Sequence, residues 1–234
     1  MSVPHVQSAA LGSDPSHEAQ PEGPTMTELS PPHEVRAIGT RTTNAEAIVD
    51  CVTLGYLGHD RITADVTYGL GGFWKLWRPS ELVFFASDLD IARSPAGESI
   101  DFTALPYETA SMDTVVFDPP YKLNGTSTEG SPSDERYGVD KTASIMQRHG
   151  LMLDGLTECI RVTKPGGFIL AKCQDQVCSG KMQWQTHMMA LHGGMIGARL
   201  RDSLFVQSYR PQPLGRVQKH ARRDYSTLLI FEKG

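Results

Sequence analysis

The sequence predicts an α/β fold built on a doubly wound, mostly parallel sheet. Three observations carry that expectation. Short apolar runs without polar alternation recur at 82–86, 114–117 and 168–171, the pattern of strands buried on both faces. Segments with apolar residues at helical spacing lie between them, and such alternation builds parallel sheets. Polar or glycine-rich stretches follow three of the strands directly, where doubly wound sheets hold their ligands.

The elements follow in order. Residues 1–33 are rich in Pro, Ser, Glu, Gly and His and cannot bury enough apolar surface to offset their ordering entropy. They are expected to form a disordered tail, with one folded domain over 34–234. Residues 44–58 read as a helix with Asn44 as N-cap and Gly58 at its end. A short strand is expected at 62–66, followed by a glycine-rich turn. Strands 82–86 and 114–117 come next, the first ending in Ser87-Asp88-Leu89-Asp90. Residues 122–140 are loop-like. A helix over about 141–162 places Met152, Leu156, Cys159 and Ile160 on one face and stops at Lys164-Pro165-Gly166-Gly167. Strand 168–171, a Met-rich helix at 182–196, and strands at 203–208 and 226–231 complete the domain.

Composition narrows the function classes. The 234 residues suit one full-sized domain. No run is long enough to span a bilayer, and no basic segment followed by an apolar stretch opens the chain, so neither a membrane span nor a secretory signal is expected. Cys51, Cys159, Cys173 and Cys178 have no Cys-x-x-Cys spacing and read as buried thiols in a reducing compartment. His187 and His192 are not four apart and have no carboxylate near them in sequence, so no metal is expected. Net charge is −5, but it is unevenly spread. No Lys or Arg precedes Arg36, whereas Arg199, Arg201, Arg210, Arg216, Lys219, Arg222 and Arg223 face only Asp202 within 199–223. Local charge of this kind can attract a polyanion despite the acidic total.

Two motifs stand out. Asp118-Pro119-Pro120-Tyr121 follows the strand at 114–117; its two prolines fix φ and stiffen a corner that presents a carboxylate. Asp65-Val66-Thr67-Tyr68-Gly69-Leu70-Gly71-Gly72-Phe73 follows the first strand. Gly69 and Gly71 there allow close backbone approach by a ligand. The dinucleotide fingerprint Gly-x-Gly-x-x-Gly fails because Trp74 occupies its last position.

Together these motifs resemble those of the S-adenosylmethionine-dependent amino-methyltransferases, which methylate adenine N6 or cytosine N4, most often in DNA. The resemblance spans roughly 40–233. It implies a class I methyltransferase (Rossmann-like) fold whose last strand is antiparallel, and S-adenosyl-L-methionine as cofactor. Asp65, Tyr68, Gly69 and Gly71 would form the turn around its methionine part, with a further contact from the segment 41–44. Asp88, or alternatively Asp90, would take the ribose hydroxyls, and Asp101-Phe102 would flank the adenine. Relatives often carry Pro-Phe where this chain has Thr67-Tyr68, and Thr67 and Leu70 depart from the pattern.

Catalysis would fall to Asp118, Pro119, Pro120 and Tyr121. An aromatic amine is a poor nucleophile because its lone pair is delocalised. The Asp118 carboxylate and the Pro119 carbonyl would accept its hydrogen bonds, and Tyr121 would stack on the base, which must be flipped out or single-stranded. Lys172, Arg216, Lys219, Arg222 and Arg223 are candidates for contacting nucleic acid. The acid-first motif favours a site-specific DNA methyltransferase acting on adenine N6 over cytosine N4. An RNA base N-methyltransferase, on adenine N6 or guanine N2, and a binding subunit of a heteromeric enzyme are the alternatives. Partners would be nucleic acid, DNA before RNA, and either a partner subunit or a second copy. A cytoplasmic setting, bacterial or phage-encoded, follows by analogy.

Overall fold

The computed structural model describes residues 40–123, 143–207 and 219–234. The expected tail at 1–33, the domain start at 34, most of the 122–140 loop and Arg216 lie outside those residues.

Six strands form one sheet in the order β2-β1-β3-β4-β8-β7. They are β1 (Thr63–Asp65), β2 (Phe84–Ala86), β3 (Met112–Phe117), β4 (Thr163–Cys173), β7 (Ala198–Gln207) and β8 (Tyr225–Lys233). Pairings from β2 through β4 are parallel, and β8 runs antiparallel to both β4 and β7. This is the mostly parallel, doubly wound sheet expected, with the last strand reversed. A separate hairpin joins β5 (Gln176–Cys178) and β6 (Lys181–Gln183).

Alternation along the central strands divides the core in two. Val115 and Phe117 of β3, with Ile169 and Ala171 of β4, face α2 (Ile145–Val162) and α3 (Gln185–Met195). Val116 and Leu170 point the other way, towards α1 (Asn44–Thr53) and Phe73, Trp74 and Trp77. A period of two in a strand buried on both sides produces this split. Met152, Leu156, Cys159 and Ile160 of α2 are all buried, as the helical spacing predicts.

Several boundaries differ from expectation. The N-cap of α1 is Thr43, not Asn44. The Thr43 hydroxyl accepts the Glu46 amide, and the Glu46 carboxylate accepts the Thr43 amide, a complete capping box. That helix ends at Thr53, and Gly55, not Gly58, takes the left-handed φ of 77° beyond it. Ser144 and Gln147 make a second capping box at the start of α2. Residues 164–167 do not form a connecting loop. They lie inside β4, where the register with β3 shifts between Met112 and Thr114. Residues 81–83 form a 3-10 turn rather than strand. Leu82 there is 90% exposed, and Phe85 is exposed on β2, because that edge strand pairs only with β1. Residues 182 and 183, expected in the Met-rich helix, belong to the hairpin. All four cysteines are buried thiols. No helix among the described residues is long and apolar enough to cross a membrane.

Candidate active site

The parallel strands β1, β2 and β3 end side by side, and the segments that follow them enclose a cleft of about 320 Å³. Thr67, Tyr68 and Gly69 come from the turn after β1, Asp88 follows β2, and Asp118 and Pro120 follow β3. The two motifs and Asp88 therefore meet on one cleft, at the carboxyl ends of the strands.

The turn after β1 is built around a buried carboxylate. Asp65 accepts the Thr67 amide at 3.0 Å on one oxygen and the Trp74 indole N–H at 2.6 Å on the other. Burial pushes its carboxyl up to about 7 despite these two donors. Asp65 thus lies beneath the turn rather than on the cleft wall, and Trp74, which breaks the dinucleotide fingerprint, serves as its partner. Gly69 and Gly71 have φ of 57° and 67°, values that favour glycine. A Cβ on Gly71 would meet the Tyr68 hydroxyl oxygen at 2.7 Å, so the aromatic at 68 and the glycine at 71 fit each other. Of the segment 41–44, Asn44 lines the cleft, while Arg41 pairs with Asp50 and holds α1 instead.

Asp88 accepts the Gly69 amide at 2.8 Å on one oxygen and the Asp90 amide at 2.9 Å on the other. One lone pair on each oxygen stays available, which suits a diol. The chain returns beside Asp88 through an isolated parallel bridge to Ser99, and this brings Phe102 onto the cleft. Asp101 is turned away: it is exposed, and its carboxylate accepts the amide and hydroxyl of Thr103, both at 2.8 Å.

Thr67 joins the two motifs. Its hydroxyl oxygen accepts the Asp118 amide at 2.6 Å. The residue that departs from the Pro-Phe pattern is therefore the direct link between the glycine-rich turn and the corner after β3. Tyr121 donates its amide to the Pro119 carbonyl at 2.7 Å, which closes the corner tightly and leaves that carbonyl one lone pair. The Tyr121 carbonyl accepts two side-chain amides at 2.8 Å, from Gln176 and Gln185. Both glutamines are buried. Arg148 of α2 donates to the Lys122 and Leu123 carbonyls at 3.1 and 2.6 Å. Sequence reasoning missed Gln176, Gln185 and Arg148. Nothing in their sequence neighbourhood marks them, because each acts through a partner distant in sequence.

Lys172, near the end of β4, is buried beside the corner after β3. Its side chain is 8% exposed, its ammonium lies 3.4 Å from the Asp118 carboxylate, and it sits 5.6 Å from the ring centres of Phe73 and Tyr121. Its ammonium faces the Asp118 carboxylate. Burial pushes its ammonium down, but Asp118 and Tyr121 outweigh this and hold it above the ordinary lysine range. Asp118 is raised by burial, with Lys172 acting against the rise. Lys219, Arg222 and Arg223 lie together before β8, away from this cleft.

No protein-family model and no curated protein matches the chain. Among solved structures it is similar to a Thermus thermophilus protein assigned as a DNA modification methylase, determined with S-adenosyl-L-methionine. Identity is 17% over 55% of this chain and 48% of that one, with a TM-score of 0.37. It is also similar to TrmN from Thermus thermophilus, at 16% identity over 81% of this chain and 48% of that one, TM-score 0.46. A Bacillus halodurans protein assigned as a methyltransferase is 12% identical over 80% of this chain and 99% of that one, TM-score 0.49. The chain spans about half the length of the two Thermus proteins.

Proposed function

We propose that the protein transfers a methyl group from S-adenosyl-L-methionine to an exocyclic amino group of a nucleic-acid base, with adenine N6 in DNA as the leading substrate. One observation carries the reading: the Asp118 carboxylate stands on the same cleft as the Gly69–Gly71 turn and is tied to it through Thr67.

The cleft fits this cofactor in three respects. Gly69 and Gly72 of the turn line the cleft, so backbone without a Cβ faces a ligand there. Asp88 retains acceptor capacity for a ribose diol. Phe102 and Phe73 offer apolar walls. When bound, the cofactor supplies a methyl group already activated on a sulfonium.

The chain's own residues would do the rest by positioning. Asp118 accepts a hydrogen bond from the target amine, and the free lone pair of the Pro119 carbonyl accepts a second. Both draw the nitrogen towards tetrahedral geometry and free its lone pair. Lys172 acts against the rise that burial imposes on the Asp118 carboxyl and so favours its ionised form, the better acceptor. Gln176 and Gln185 fix the Tyr121 carbonyl, so its ring is held for stacking. The acid at the first position of the motif is what supports adenine N6 over cytosine N4.

The test is incubation of the full chain with labelled S-adenosylmethionine and, separately, unmethylated DNA and total RNA, followed by nucleoside mass analysis. N6-methyladenine in DNA is expected. Label confined to RNA would replace the substrate while keeping the catalytic corner. Cofactor binding without transfer to either would overturn the enzymatic reading in favour of a binding role.

A further inference from the structure

A second concavity, of about 680 Å³, opens between α3 and the β7–β8 ribbon, a size typical of small-molecule sites, roughly 300–1,000 Å³. Its chemistry is unusual for a surface hollow. Phe205 and Tyr225 stand edge to face across the ribbon with ring centres 5.1 Å apart, and Phe205 is 42% exposed. Trp184, on its rim, is 52% exposed. The Arg223 guanidinium lies 5.4 Å from the centre of the Trp184 ring. The buried Arg223 Nε has no hydrogen-bond partner among the described residues. Lys219, Arg222 and Arg223 form no ion pair among the described residues either. The one carboxylate lining the hollow, Asp175, is taken up by the Thr186 amide and hydroxyl, each at 2.9 Å.

Exposed aromatic faces beside unneutralised cations are what single-stranded nucleic acid needs, because bases stack on rings while cations meet phosphates. The location suits the same ligand. Trp184 immediately precedes Gln185, whose side chain holds the Tyr121 carbonyl at 2.8 Å. We propose that this hollow binds an unstacked nucleotide flanking the target base, with Trp184 and Phe205 as stacking surfaces and Arg223 at its phosphate. The proposal rests on the methyltransferase reading and adds to it how the substrate strand is gripped. A strand lying there would be held open next to the catalytic corner, in keeping with a base that must leave its stack.

The experiment uses the full chain and a fluorescein-labelled, mixed-sequence single-stranded oligonucleotide in DNA and RNA versions. Anisotropy gives affinity, and intrinsic tryptophan emission reports stacking; because Trp74 and Trp77 are buried, quenching would arise at Trp184. Trp184→Ala is expected to weaken binding about ten-fold, with Trp184→Phe restoring most of it and cofactor affinity by calorimetry unchanged in both. Wild-type affinity in Trp184→Ala and Phe205→Ala, with methyl transfer by the wild type intact, would overturn the platform and leave the proposed function standing. A wild-type chain that binds the cofactor but neither binds nor methylates either nucleic acid would overturn both.

Discussion

At the residue scale, Asp118 is governed by two opposed influences. Burial raises its carboxyl, and the Lys172 ammonium 3.4 Å away acts against the rise. Only the ionised form accepts hydrogen bonds from an amine on both oxygens. Lys172→Met removes the opposing charge, so the acid limb of the kcat–pH profile should move to higher pH. An unshifted limb would exclude Lys172 from this role. Asp118→Asn should lower methyl transfer about 10²–10³-fold while calorimetric cofactor affinity stays unchanged. Asp65 gives a stability prediction of opposite sense to an ordinary surface carboxylate. Its folded value, about 7, lies above the unfolded one, near 3.9. Between them the folded state binds the extra proton, so this group's contribution grows as pH falls through about 7 and is lost as pH rises. Urea melts should show the wild type gaining stability relative to Asp65→Asn from pH 8 to pH 5. Asp118 and Asp88 were legible in sequence because each directly follows an apolar strand. Thr67, Gln176 and Gln185 were not, because an uncharged polar residue declares its role only through a partner that folding brings near.

At the scale of elements, α2 approaches the sheet so closely that only glycine fits. A Cβ at Gly155 would lie 2.5 Å from Phe117 and 2.6 Å from Phe102. Gly155→Ala should therefore destabilise the domain by about 1–3 kcal/mol in a denaturant titration. It should also weaken cofactor binding, since Phe102 lines the cleft. Gly150, one helical stretch earlier, would meet nothing within 4 Å, and Gly150→Ala should be neutral or stabilising by up to about 1 kcal/mol. Helical spacing revealed α2 and its buried face. The β5–β6 hairpin escaped because three-residue strands carry no usable period. Its turn, with Ser179 and Gly180 at φ of 50° and 74°, left only a Ser-Gly dipeptide as a sign.

At the scale of the molecule, the fold was legible because β3 and β4 contain short apolar runs at 115–117 and 168–171, and runs of that kind suit a sheet covered on both sides. The edge was misread at 82–86, where apolar character does not match burial; nothing in the described residues covers Leu82. Charge operates at this scale too. The chain is acidic overall, so any affinity for nucleic acid must come from local cations. If Lys219, Arg222 and Arg223 each neutralise one phosphate of a single strand, the plot of log affinity against log salt should have a slope of about −2. A flat plot would exclude phosphate contact by that segment.

The hydrogen bond between Thr67 and the Asp118 amide has a dynamic consequence. An amide exchanges with solvent only when its bond opens, and this one opens when the Thr67 hydroxyl leaves it, by rotation of that side chain or by parting of the turn after β1 from the corner after β3. Its deuterium uptake therefore reports how firmly the first loop holds the second. Ligand that steadies the first loop should slow exchange at the second, with no contact to Asp118 required.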